Sequence, residues 1–410
     1  MVPEGWIKAP LKSLVEIKHG FAFKSENFSD RGHHILMTPG HFHEKGGFRP
    51  QGSKTKHYVG EIPKGYILSK GDVVVAMTEQ AAGLLGSAAF VPDDGKYLHN
   101  QRLGLVKAVD ESVTDINFIY WLYNSKEVRK QISEQASGTK VKHTSPERLV
   151  SVVALLPPIL EQKKICEILS VWDKAITTTE ELLRNSKDQK QALTQKLLTG
   201  AIRHPEFNSD WKTLKISELF SRVTTKNNKT STNVLTISAQ LGLIRQQDFF
   251  NKTVASEILD NYYLLKKGQF AYNKSYSHGY PMGAIKRLNN HDDGVVTTLY
   301  ICFELRNKNI CCPEFFEHFF EAGLLNQGLT KVANEGGRAH GLLNVKSSDF
   351  FGLEITIPCL EEQKNITKVL SAADQKINML YQKLTCLELE KEALMQKLLS
   401  GKLRVKVEAA

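Results

Sequence analysis

Several things are scarce in this 410-residue chain, and each scarcity excludes a class of protein. No apolar run approaches the roughly 20 residues that a membrane-spanning helix requires. The opening Met1-Val2-Pro3-Glu4-Gly5-Trp6 lacks the apolar centre of a secretory leader, so none is expected. Cysteine is sparse: Cys166, Cys302, Cys311, Cys312, Cys359 and Cys386 form no C-x-x-C pair and no Cys/His array. Neither a zinc site nor a disulfide framework is indicated, and a reduced, cytoplasmic protein is the plain expectation. A G-x-x-x-x-G-K-[ST] phosphate loop is missing, as is H-E-x-x-H, which argues against ATP hydrolysis and metalloprotease chemistry on this chain. His33-His34 and His41-x-His43 are close pairs without further ligands, so they read as loop histidines facing solvent or phosphate rather than metal ligands. No catalytic constellation is expected.

What is present starts with charge. Lys and Arg outnumber Asp and Glu by 54 to 44, giving +10 and a pI near 9.1. Such an excess is the footprint of a polyanion partner, although solvated basic faces produce it too. The length calls for two globular cores plus further elements.

The strongest signal is a segment that occurs twice. Leu156-Pro157-Pro158-Ile159-Leu160-Glu161-Gln162 leads to Gln195-Lys196-Leu197-Leu198-Thr199-Gly200. Ile357-Pro358-Cys359-Leu360-Glu361-Glu362-Gln363 leads to Gln396-Lys397-Leu398-Leu399-Ser400-Gly401, 201 residues later at both ends. That offset is too long for a solenoid repeat and divides the chain into two halves of similar plan. Between Glu161 and Leu198 there is neither Pro nor Gly. Apolar residues recur at alternating steps of three and four: Ile165, Leu169, Trp172, Ile176, Leu183, Leu193 and Leu197, then Ile366, Leu370, Ala373, Ile377, Leu380, Leu384, Leu387, Leu394 and Leu398. This spacing predicts two long helices, each near 57 Å at about 1.5 Å per residue, and each paired with another helix. Proline before each start and glycine after each end fit the expected helix boundaries. Thr179, Ser186, Lys190 and Lys391 fall on seam positions, with Lys190 and Lys391 equivalent by the offset. An antiparallel intramolecular pair whose polar positions fix register accounts for them; fraying of the seam is the alternative.

A globular region precedes each helix. Gly71 to Thr78 and Lys267 to Asn273 read as strands entered from a turn, and Asp115–Tyr123 and Pro313–Phe320 as helices. Glycine-bearing loops follow at 136–139 and 334–338. β-rich stretches from Leu149 to Leu156 and from Phe350 to Ile357 close the regions, which open alike at Trp6 to Leu14 and Trp211 to Leu219. The order is domain, rod, domain, rod, with boundaries at 1–157, 158–204, 205–358 and 359–410.

At these motifs the chain resembles the specificity subunit of type I restriction-modification enzymes. The Pro-Pro-x-x-Glu-Gln start at 157–162, its twin ending Glu361-Glu362-Gln363, and the two Gln-Lys-Leu-Leu-(Thr/Ser)-Gly ends carry the likeness. Gly20-Phe21-Ala22-Phe23-Lys24-Ser25, the strand from Gly71 to Thr78, and Asn273 to Pro281 add to it; Cys359 departs from it, replacing the second proline. The resemblance implies an α+β fold: two similar α/β target-recognition domains separated by two long helices packed as an antiparallel coiled coil with pseudo-two-fold symmetry. It implies that each domain reads half of a split, asymmetric double-stranded DNA sequence. The rods would set the spacing and dock two methyltransferase subunits, to which two restriction (translocase-nuclease) subunits can add. S-adenosylmethionine, ATP and Mg would then belong to those partners and not to this chain. Consistently, the Asn-Pro-Pro-(Tyr/Phe) motif of adenine methyltransferases is missing; Leu156-Pro157-Pro158-Ile159 shares only its prolines.

Base edges in the major groove are matched by Arg, Lys, Asn, Gln and His. Candidate DNA-binding residues in the first domain are Lys24, Lys54, Lys56, Gln80, Arg102, Lys140, Lys142 and His143. In the second they are Lys226, Asn227, Asn228, Lys229, Arg245, Gln246, Gln247, Lys274, Tyr276, His278, Arg338 and His340. Each Lys has the alternative of a solvated surface charge, Arg102 that of a structural ion pair, and Tyr276 and Tyr280 that of packing. A coiled-coil adaptor whose two domains bind proteins is the competing functional reading; an enzyme with an unrecognised site fits least, because no His/Asp/Glu set recurs at matched positions.

Overall fold

The computed structural model describes residues 2–407 apart from 80–82, 139–140, 250–258, 308, 336–340 and 342. Two compact units emerge: residues 1–180 with 382–410, and residues 181–381. Each contains one globular domain and one half of each rod.

In the first unit a four-stranded sheet runs in the order Val15–His19, Leu103–Ala108, Val73–Ala76, Ala88–Phe90, every neighbour antiparallel. The central Val73-Val74-Val75-Ala76 is apolar throughout because both faces are covered. Val73 and Val75 join a core with Phe118, Trp121 and Leu149. Val74 and Ala76 face Met37, Phe42 and Leu68 on the other side. The second unit repeats the order with Phe220–Val223, Ile301–Leu305, Phe270–Asn273 and Ala284–Arg287. Here one face is filled by Phe220, Phe270, Phe303, Phe316, Phe320 and Phe350. Ala271 and Cys302 face Leu235 and Leu265 on the other. Burial pushes the Cys302 thiol up to about 12, so it packs as a small apolar group.

The predicted domain helices form at Ile116–Tyr123, capped by the Asp115 carboxylate, and at Pro313–Glu321 with proline in the first turn. Two further helices, Lys126–Glu134 and Asn326–Val332, were not anticipated. The closing stretches also differ from expectation. Residues Pro146–Ser151 are helical and only Val153–Leu156 is strand, because Ser145 caps the turn and Pro146 starts it, outweighing the apolar run that follows. Ser347–Gly352 and Glu354–Ile357 repeat the arrangement. Each closing strand pairs antiparallel with the opening strand of its domain, Ile7–Pro10 with Val153–Leu156 and Lys212–Lys215 with Glu354–Ile357.

The rods are single helices, Ile159–Leu198 and Leu360–Leu399. The predicted seam is their less exposed stripe, with Thr179 and Ser186 fully buried on it. Thr179 satisfies its hydroxyl on the carbonyl of Ala175, 2.8 Å away and one turn back. Within the first unit the start of the first rod lies antiparallel to the end of the second: Ile165, Leu169, Leu398 and Leu399 share one core. Asp173 pairs with Lys391, and Glu161 with Arg404. Within the second unit the same contacts recur 201 residues on: Lys190 pairs with Asp374, and Arg203 with Glu362 at 2.8 Å. The polar seam positions Lys190 and Lys391 are thus register pins, not frayed turns. Among the described residues, no helix is long and apolar enough to cross a membrane.

The Glu-Gln pair at each rod start does two jobs. Glu161 and Glu362 are buried and grip an arginine that follows the capping glycine of the other rod. Glu161 also accepts the indole N–H of Trp6 at 3.1 Å. Gln162 and Gln363 turn the other way, into the domain. Gln162 accepts the backbone N–H of Asp115 at 2.9 Å and donates to the carbonyls of Val113 and Pro157. Gln363 accepts from Cys312 at 2.8 Å and donates to Ile310 and Pro358. Each rod is therefore bonded to the helix start of the domain preceding it. Gln363→Leu orphans the buried Cys312 N–H, which costs about 1–3 kcal/mol, and Gln162→Leu orphans the half-buried Asp115 N–H at the lower end of that range. Hydrogen exchange in mild denaturant should show Gln162→Leu destabilising the unit of residues 1–180 with 382–410 more than Gln363→Leu does.

Candidate nucleic-acid interface

Both sheets end in the same small ladder. In the first unit the chain leaves Val73–Ala76 through Met77 and Thr78. There the Thr144 N–H donates to the Met77 carbonyl at 3.0 Å and the Glu79 N–H to the Lys142 carbonyl at 2.9 Å. In the second it leaves Phe270–Asn273 through Lys274. Leu343 donates to the Lys274 carbonyl at 2.9 Å and Tyr276 to the Gly341 carbonyl at 3.0 Å. The bonding pattern is identical at an offset of 197 on the strand side. The side chains it carries are not: Met77, buried in the core, and Glu79 in one, Lys274 and the exposed Tyr276 in the other.

In the first unit this edge walls a cleft of about 280 Å³ floored by Met77 and lined by His19, Thr78, Gln101, Arg102 and His143. Its far rim is the turn Asn100-Gln101-Arg102, held by the Arg102 N–H on the Asn100 side-chain oxygen at 3.0 Å and the Gln101 N–H on the Phe21 carbonyl at 2.9 Å. Gly20 permits this approach, since a Cβ there would stand 2.0 Å from the Asn100 carbonyl oxygen. That is the physical content of the Gly20-Phe21 motif. His143 bridges to Thr78 through backbone pairing, and its Nδ1 lies 3.3 Å from the Thr78 hydroxyl. Arg102 is exposed and, among the described residues, enters no ion pair, leaving its five donors to whatever occupies the cleft.

Of the residues expected from sequence, Arg102 and His143 come together here. Lys142 stands beside them on the ladder, its ammonium on Ser133 at 3.3 Å. His19 and Gln101 were missed; each is unremarkable by itself, and only the crossing of two strand ends unites them. Lys24, Lys54 and Lys56 stand elsewhere in the domain. Lys24 is exposed near Glu26 at 3.8 Å, Lys54 ends a short 3-10 turn, and Lys56 pairs with Asp30 at 2.7 Å. In the second unit Lys274, Tyr276 and His278 share one loop. Lys274 is half-buried against the Val345 carbonyl at 3.4 Å, and burial holds its ammonium below the ordinary range. Tyr276 is 63% exposed, which leaves its ring free to stack rather than pack. Lys226 donates to the Asn261 carbonyl at 2.8 Å and lies over the Tyr263 ring. Lys229 and Asn228 have positive φ in an exposed turn, and Arg245 is exposed at a strand end. Asn227 is a correction: it is 1% exposed, exchanges hydrogen bonds with Ser231 and holds that turn, so it cannot read a base. Gln80, Lys140, Arg338 and His340 lie outside the described residues.

Two histidines serve the scaffold of the first domain, and one of them, His41, corrects the expectation of a loop histidine facing solvent. His99 is fully buried with Nε2 2.9 Å from the Leu103 carbonyl, and burial pushes its pKa down to about 4. His41 is buried as well, its Nδ1 accepting from the Thr38 N–H, and is likewise pushed down to about 4 by burial. The folded state thus keeps both neutral where the unfolded chain, near 6.5, takes up protons. Stability present above about pH 6.5 is lost as pH falls towards 4. Calorimetry should show the melting temperature dropping across that window, with a shallower drop in His99→Gln.

The sequence profile described as "Type I restriction modification DNA specificity domain" matches residues 3–185 and again 208–389. The specificity subunit of the type I restriction enzyme EcoKI of Escherichia coli K12 is 21% identical over 392 residues, 90% of this chain and 82% of that protein. That of EcoBI is 26% identical over 207 residues, 49% of this chain; the match spans only 40% of the relative's length. The crystal structure of a type I restriction-modification S subunit from M. genitalium superimposes with a TM-score of 0.58 at 15% identity, covering 97% of this chain and 96% of that one. With two tandem matches covering most of its length, the chain belongs to the type I restriction-modification DNA specificity family.

Proposed function

We propose that this chain is the non-catalytic, sequence-reading subunit of a type I restriction-modification complex, each unit taking one half of an interrupted, asymmetric DNA target. The observation that carries this is the repeated ladder with unlike side chains. Two identical backbone frames, flanked by Thr78, Arg102 and His143 in one case and by Lys274 and Tyr276 in the other, are suited to two different half-sites. Arg102, Gln101, His19 and His143 offer base-edge donors in the first unit; Lys274, Tyr276 and His278 offer a cation, a stacking ring and an imidazole in the second. The basic excess supplies phosphate contacts. A protein-binding adaptor would leave that excess and the cleft donors idle.

Partner subunits would supply the chemistry. Val171, Met379 and Leu389, each more than 60% exposed on the rods, are apolar surface suited to packing against partner helices. Two methyltransferase subunits holding S-adenosylmethionine, and restriction subunits using ATP and Mg, fit the duplicated plan. Methylome sequencing of the host with the gene intact and deleted should show one split methyladenine motif that disappears with the gene. Arg102→Ala should relax bases in one half of that motif only, and binding to duplex DNA should fall steeply between about 50 and 200 mM salt. Retention of the motif after deletion, or salt-insensitive binding, would refute the reading.

A further inference from the structure

The loop that follows the central strand of the second unit, residues 274–283, is tied through the Tyr280 hydroxyl to a carboxylate of the domain helix, Glu321. Ser277 and Tyr280 close a four-residue turn, the Tyr280 N–H donating to the Ser277 carbonyl at 2.9 Å. Gly279 takes the left-handed third position at φ +83°. His278 in this turn is exposed, as is Tyr276 two residues earlier. The near arm of the loop is fixed by the backbone ladder described above. Its far arm is fixed through side chains. The Tyr280 hydroxyl donates to one oxygen of Glu321, the Lys286 ammonium pairs with the other, and Lys286 also donates to the Tyr280 hydroxyl at 3.3 Å. Lys286 lies 4.8 Å from the centre of the Tyr280 ring.

Glu321 is spare as a general tie between this strand and its helix. Ala284–Arg287 and Pro313–Glu321 are already joined by Arg287 to Glu314 at 2.7 Å and to Glu317 at 3.6 Å, next to the bond from Asn289 to Glu317 at 2.8 Å. The phenylalanine core lies beneath them. What Glu321 alone adds among these carboxylates is the grip on Tyr280, and through it on the turn. Among the described residues the first unit holds its matching loop differently, Glu79 accepting from the Gly83 N–H at 2.6 Å and Arg129 donating to the Gly83 carbonyl, with no tyrosine hydroxyl involved. At the position 197 residues before Glu321 stands Asn124, whose amide exchanges hydrogen bonds with the Ala88 backbone at 3.0 and 3.2 Å, and Tyr280 is matched by Gly83.

We infer that Glu321, with Tyr280 and Lys286, is a positioning group for sequence readout: it sets the pose of Tyr276 and His278 on DNA without touching the DNA itself. The inference rests on the reading of this chain as a DNA-specificity subunit. It predicts an asymmetric defect, confined to the half-site read by the second unit.

The test uses the full chain assembled with its modification subunit and a randomised duplex pool whose methylated members are sequenced. Tyr280→Phe and Glu321→Ala should each weaken base preference in one half of the motif by about ten-fold or more. The other half and the salt dependence of binding should not change, because no phosphate contact is removed. Glu321→Gln, which keeps an acceptor for the hydroxyl, should recover part of the preference. Tyr276→Ala and His278→Ala should damage the same half. If those two variants relax one half while Tyr280→Phe and Glu321→Ala leave it intact, the positioning role is wrong and the DNA reading stands. A wild-type complex with no split motif would overturn both. Should Glu321→Ala fail to fold, Tyr280→Phe, one oxygen smaller, decides alone.

Discussion

The buried carboxylates at the rod starts are the constraint from which the rest of the structure follows. A glutamate taken out of water needs a cation of matched geometry, and the guanidinium that follows the capping glycine of the opposite rod supplies it. Because Glu161 and Arg404 stand 201 residues from Glu362 and Arg203, one rule of sequence produces two clasps. The Asp173–Lys391 and Lys190–Asp374 pairs repeat that logic farther along, so apolar packing holds the helices together and charge decides their alignment. The neighbouring glutamines then hand the alignment on to the domains. A reading edge placed at the end of a domain sheet inherits its position from this chain of bonds.

The repetition is not uniform, and its irregularities fall where function would put them. Trp6 and Trp211 stand 205 residues apart, Gly71 and Gly268 197, and Gly200 and Gly401 201. The first domain therefore has more chain between its first and central strands, the segment that supplies Phe28–Ser29, His34–Met37 and His57–Tyr58 to a small second sheet. The second has more between the helix Pro313–Glu321 and the helix Ser347–Gly352 that precedes its closing strand. The rods keep an offset of 201 and the three later strands of the sheet one of 197, while segments between them change length, as expected where loops carry recognition on a fixed scaffold. One small break in the symmetry has no evident functional sense: Trp6 donates to Glu161, whereas the Trp211 indole N–H is buried without a partner among the described residues.

Much of this was legible in the sequence. The heptad spacing and the Pro and Gly boundaries foretold the rods, which depend on local periodicity; the paired lysines left antiparallel pairing and a frayed seam both open, and the Asp173–Lys391 and Lys190–Asp374 pairs decide for pairing. The strand from Gly71 and the helices at Asp115 and Pro313 were visible through local pattern too. Less visible were elements whose signals compete: around Leu149 an apolar run suggested strand, and the Ser145-Pro146 cap made helix instead. Least visible was the interface. His19, Gln101 and His143 are far apart in the chain and meet only because two strand ends and one ladder cross, with Gly20 allowing the contact. Asn227 looked like a base reader because it sits among lysines, yet its amide is consumed by Ser231. Glu321 gave no signal at all, its role being set by a tyrosine 41 residues away.

The most direct measurement of the clasp is a charge-reversal series followed by thermal unfolding at low salt. Asp173→Lys sets two ammonium groups against each other and should lower the melting temperature; adding Lys391→Asp should restore most of the loss. Adding Lys190→Asp instead should lower it further, because Lys190 belongs with Asp374. Rescue by Lys190→Asp as good as that by Lys391→Asp, or no rescue by Lys391→Asp, would contradict the pairing and the alignment built on it.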